Sequence, residues 1–143
     1  MALLVLYVIS RYNYLLFHSL ADGVSIIIAA CVFAIIWSGR RIVDNGYFLY
    51  VGIALLFFAF WDLMHLLGNK NMGVFPQYGN LGPALYIVSR YILSLSLIIA
   101  PLYINRRLNT TPMYASYSLL TLFMLLSISG RQRTFSASVE RSG

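Results

Sequence analysis

Within runs that are otherwise apolar, five ionisable side chains stand out: His18 and Asp22 in FHSLAD, Asp62 and His65 in FFAFWDLMHLLG, and Arg90 in IVSRY. Spacings of four and three residues put each His–Asp pair on one face of a helix. Two imidazoles and two carboxylates are ligands that suit zinc or iron, so His18, Asp22, Asp62 and His65 are candidate metal ligands. The two histidines on neighbouring helices are alternatively suited to be axial ligands of a haem. A third chemistry is a small-molecule pocket in which Arg90 clamps an anionic group and the imidazoles, titrating near neutrality, respond to pH. No spacing here excludes a simpler polar network.

The elements that must position these groups are membrane helices. Of 143 residues, 60% are apolar and 10% charged, whereas soluble domains carry roughly a quarter charged residues. So few charges cannot cover so much apolar surface in water. Four stretches approach or reach the roughly twenty apolar residues that a span requires: Phe17–Trp37, Tyr47–Leu67, Pro83–Tyr103 and a shorter Pro112–Ser129. The segments between them, SGRRIVDNG, GNKNMGVFPQYGNLG and INRRLNTT, hold the Gly, Asn, Pro and charge that end helices. The apolar ALLVLYVIS at the start is too short to cross alone and lacks the marks of a signal peptide, so it reads as the stub of a further helix. The fold class is therefore all-α, a polytopic integral-membrane helix bundle of about four to five transmembrane helices; the alternation of a membrane barrel is absent.

Basic residues give the orientation. Arg40 with Arg41, and Arg106 with Arg107, flank the inner loops, while the connection between the second and third spans carries only Lys70. The positive-inside rule places the Arg pairs in the cytoplasm and the Lys70 loop outside, with Trp37, Tyr47 and Tyr103 at the inner interface and Trp61, Tyr78 and Tyr86 near the outer one. Arg131 and Arg133 then fall outside, against the same rule. At 1.5 Å per residue, Asp22 and Asp62 lie about 7 Å, and Arg90 about 10 Å, below the outer ends of their helices. All five ionisable groups are thus expected in the outer half of the bilayer, as walls of a pocket that Ser19, Ser25, Tyr86, Ser89 and Ser94 help to line. An unpaired carboxylate in lipid costs about 2.5–3.5 kcal/mol, so these groups are expected to pair.

Plainer readings stand beside this one. Asp62 and Arg90 can be a structural ion pair that fixes helix register, the histidines can reach the headgroups, and Arg90 can snorkel. Met64, Met72 and the Phe57, Phe58, Phe60 run read as packing and lipid-facing surface. Cys31 stands alone in the chain, which rules out an internal disulfide. The net charge of +6 comes from Arg pairs scattered at membrane edges rather than from a continuous basic face, so anionic headgroups are the expected partner and nucleic acid is not. No nucleophile with a positioned base, phosphate-cradling glycine loop or zinc-protease motif points to an enzyme.

The ordered motifs FHSLAD (17–22), IIWSGRRIVDNGYFLYVGIALLFFAFWDLMHLLGNKNMGVF (35–75) and LYIVSRYILSLSLIIAPLYI (85–104) resemble the bacterial and archaeal membrane-associated sensor domain of the MASE group, third type. The resemblance runs from about Tyr12 to Ser129 and carries over His18, Asp62, His65 and Arg90 as motif residues; Asp22 stands where many members have Glu. It implies a non-catalytic, multi-pass input module of the cytoplasmic membrane in signal transduction, of the kind joined in one chain to histidine kinase, PAS, cyclase or phosphodiesterase domains. Expected partners are the bilayer and such a cytoplasmic domain, with a homodimer left open. Residues 1–129 are then a partial sensor domain and 130–143, GRQRTFSASVERSG, a disordered or aberrant tail, which suggests a truncated or frame-shifted reading frame. Intramembrane Asp, His and Arg also suit a transporter or proton-path fragment, and a structural membrane subunit would need the ion pairs alone.

Overall fold

A computed structural model describes residues 11–42, 45–68 and 81–140 of the chain. The apolar stub at 1–10, Asp44 and the loop with Lys70, Met72 and Tyr78 lie outside the described residues. Among the described residues, four helices are long and apolar enough to cross a membrane: α1, Tyr14–Gly39; α2, Gly46–Leu67; α3, Leu81–Ile99, extended by a 3₁₀ turn at Ala100–Tyr103; and α4, Thr110–Glu140. The expected spans fall inside these helices, and no strand occurs among the described residues.

The helix limits follow from local chemistry. Asn13 caps α1 by accepting from the Leu16 N–H at 3.1 Å, and Asn45 caps α2 by accepting from the Tyr47 N–H at 3.0 Å, each satisfying a donor that the first turn leaves open. The Gly68 N–H closes α2 on the Met64 carbonyl at 2.8 Å. Pro101 lacks the N–H that would continue α3, which tightens into the 3₁₀ turn and leaves through Asn105 in the left-handed region at φ 61°. Asparagine is among the few residues besides glycine that adopt that conformation readily.

The chain divides into two compact units, one ending at Leu108 and one starting at Asn109. In the first, α2 lies between α1 and α3 and packs on both. Its core includes Ala29, Phe58 and Ala59, with Ile26, Leu55 and Leu93 against them. At the end carrying the Arg pairs, Tyr50 stacks on Tyr103 at 4.9 Å between ring centroids, and the Gly46 N–H donates to the Arg106 carbonyl at 2.9 Å. A Cβ at Gly46 would run into that same carbonyl. Only glycine lets the two backbones come so close. Along the α1–α2 contact, a Cβ at Gly52 would lie 2.9 Å from Ile36 Cγ2, the small-residue contact that lets membrane helices approach. Outward faces are apolar and exposed, as at Ile27, Ile35, Tyr91 and Ile98.

The second unit contains α4, with Leu119, Leu122, Phe123 and Leu126 exposed along it. Its backbone stays helical past Ser129 to Glu140, within the 130–143 stretch that sequence reading gives as a disordered or aberrant tail. The difference has a simple cause. No proline follows Pro112 in the helix, and extending a formed helix costs far less than starting one.

Candidate functional site

Because the helices alternate in direction, the start of α1, the end of α2 and the start of α3 come to one end of the unit. Asp22, Asp62 and His65 are buried there, and Asp62 is fully so. Two groups of polar contacts form, one on each side of α2.

On the α1 side, Asp22 Oδ2 lies 3.2 Å from His18 Nε2 and 3.5 Å from His65 Nε2. The two imidazole rings meet edge to face with centroids 5.6 Å apart, and Tyr14 stacks on His18 at 6.0 Å. On its other edge, His65 Nδ1 is 2.7 Å from the Gly82 carbonyl oxygen. A carbonyl only accepts, so Nδ1 carries the proton and donates. The other ring nitrogen, Nε2, is left facing Asp22. Neither His65 Nε2 nor Asp22 Oδ2 completes a hydrogen bond of acceptable geometry.

On the α3 side, Arg90 Nη2 lies 3.3 Å from Asp62 Oδ1, and Ser89 Oγ is 3.1 Å from the same oxygen. Ser89 Oγ is also 2.9 Å from the Tyr86 carbonyl; its single proton serves one acceptor at a time. The Arg90 guanidinium lies over the rings of Tyr86, at 4.7 Å, and Phe58, at 5.1 Å. These faces suit a cation that lipid would otherwise surround. Asp62 Oδ2 and Arg90 Nε have no hydrogen-bond partner.

His65 belongs to both groups, since it faces Asp22 of α1 through one nitrogen and Gly82 of α3 through the other. Three of the side chains, His18, Asp22 and His65, offer ligand atoms that all lie within 4.8 Å of one another. With Asp22 Oδ2 this close to both imidazole nitrogens, a porphyrin between the histidines would have to occupy the carboxylate's place. The three ligand atoms are within reach of a single ion.

The sequence model of one family, the MASE3 membrane-associated sensor domain, matches residues 9–143. The chain belongs to this family. No curated protein and no solved structure matches it significantly. Membership makes the chain a membrane-associated sensor domain, a sensory input module that works in signal transduction, and the four apolar helices make it a multi-pass membrane protein. The MASE3 match extends through the stretch after Ser129, beyond the limit of the resemblance read from motifs.

Within the MASE3 fold, all five ionisable residues named from sequence come to one end, but they do not form one cluster. Asp62 leaves the expected four-ligand set. It turns to Arg90 and Ser89 of α3, because α3 brings its cation to the side of α2 away from α1. Ser94 is spent on the Arg90 carbonyl of its own helix at 2.8 Å, and Tyr86 enters through its ring, 5.2 Å from that of His65. Phe58, read from sequence as packing or lipid surface, is buried beneath Arg90; its position four residues before Asp62 was the available signal. The Gly82 carbonyl was missed, and a backbone acceptor has no signature in side-chain types.

Proposed function

We propose that the polar end of the α1–α2–α3 unit is the input site of this MASE3 module and that it opens toward the outside of the cell. A stimulus acting there changes how α1 and α3 pack on α2, and the change passes to a cytoplasmic signalling domain. The observation that carries this reading is the double engagement of His65, whose two ring nitrogens face different neighbouring helices. A ligand or proton that binds one packing better than the other shifts the balance between them by its difference in affinity. The outward orientation is supported by the Arg pairs at the opposite end, under the positive-inside rule. The module itself is non-catalytic in this reading; the output chemistry belongs to the domain that receives the signal.

A proton path finds less support. The described Asp and His side chains of the first three helices all lie toward the polar end, so the rest of the crossing lacks acid–base stepping points. A purely structural role for the ion pairs is separated by experiment. In the receptor that carries the signalling domain, His65→Gln should abolish the response while membrane insertion and abundance stay near wild type. An unaltered response in that variant overturns the proposal.

A further inference from the structure

We propose that His18, Asp22 and His65 form a binding site for a divalent transition-metal ion of the zinc type, with the fourth coordination position open. This inference rests on the reading of the polar end as the input site, and it names the class of ligand.

Three observations carry it. The first is convergence: His18 Nε2 and His65 Nε2 stand 3.2 and 3.5 Å from one carboxylate oxygen. Zinc bonds to nitrogen and oxygen of about 2.0–2.1 Å imply a tetrahedral edge of ~3.3 Å between ligand atoms. These separations match ligands sharing an ion. The second is the set of buried atoms with no hydrogen bond: Asp22 Oδ2 and His65 Nε2 aim into the same space from residues that are each 6% exposed. The third is the support behind His65, whose Nδ1–H donates to the Gly82 carbonyl at 2.7 Å. Such a bond fixes the tautomer that presents the Nε2 lone pair to a metal and holds the ring in orientation. Imidazole and carboxylate together favour zinc and its d-block neighbours over magnesium and calcium, which prefer all-oxygen sites. Asp62 takes no part, being held by Arg90 and Ser89.

The test uses the full chain in nanodiscs, stripped with chelator and titrated with Co²⁺ as a coloured stand-in for zinc. One equivalent should bind, with the visible absorption of a low-coordinate site and without thiolate charge-transfer bands. Cys31→Ser should bind equally well, since Cys31 is exposed and lies away from the site along α1. His65→Gln and Asp22→Asn should each weaken binding by about 100-fold or more. Should either variant lose its helical circular dichroism, His18→Gln, at a half-buried position, takes its place with the same expected loss. A wild-type chain that binds no cobalt stoichiometrically overturns the proposal, as does binding that survives these substitutions. Binding and signalling are separate readouts. A cobalt-free chain whose receptor still loses its response with His65→Gln removes the metal and keeps the input site. Stoichiometric binding beside an unaltered response keeps the metal and removes the sensing role.

Discussion

At the scale of single residues, the Asp62–Arg90 pair is a matter of unequal burial. Asp62 is fully buried, whereas the Arg90 side chain is 35% exposed. Removing the arginine strands the carboxylate, and removing the carboxylate leaves a cation that can still reach outward. Arg90→Leu should therefore destabilise the protein by about 2 kcal/mol, below the cost for a fully buried pair because exposure already weakens this one. Asp62→Asn should cost less. Thermal unfolding in detergent checks the order, and an Asp62→Asn variant less stable than Arg90→Leu would contradict it. Ser89→Ala removes one donor to the same carboxylate and should cost about 1–2 kcal/mol. The five ionisable residues were easy to find in the sequence because charge stands out in an apolar run. Their grouping was not, since a spacing of three or four residues says that Asp62 and His65 share a face and leaves open which neighbouring helix each side chain meets.

At the scale of elements, helix contact in lipid depends on close fit and polar bonds, because the surrounding tails are as apolar as the side chains. Gly52 sets the approach of α1 to α2, where an added methyl would press on Ile36. Gly52→Ala should destabilise by about 1–3 kcal/mol through overpacking, and Ile36→Ala in the same chain should recover part of that loss. If the double variant is as unstable as the sum of the singles, the contact is not the cause. The spans themselves were legible from composition and from the breakers between them. The end of α4 was not: GRQRTFSASVE contains no apolar rhythm to mark a helix, yet the backbone continues as one to Glu140. A segment can be helical by continuation from its neighbour without any pattern of its own.

At the scale of the whole molecule, the alternation of α1, α2 and α3 assigns their ends to two sides of the membrane. In a Cys31→Ser background, single cysteines at Ser38 and Arg107 should react with an impermeant maleimide from one side, and a cysteine at Tyr12 from the other. Labelling of all three from the same side would refute the arrangement. Sequence alone gave this alternation through the Arg pairs, and with it the gathering of the polar groups at one end. It could not give α2 as the middle helix, because the order of packing across the unit depends on which faces meet, and lipid accepts an apolar residue on every face.

The backbone bond between Gly46 and Arg106 gives the two ends of α2 different mechanical characters. An amide held on a carbonyl tolerates little stretch, while side-chain contacts at the other end can lengthen or exchange partners. Any swing of α2 against α3 would turn about that pinned amide as a lever does about its fulcrum. Its largest excursion would come some 30 Å away, at 1.5 Å per residue along the helix, beside the imidazole that touches both neighbours.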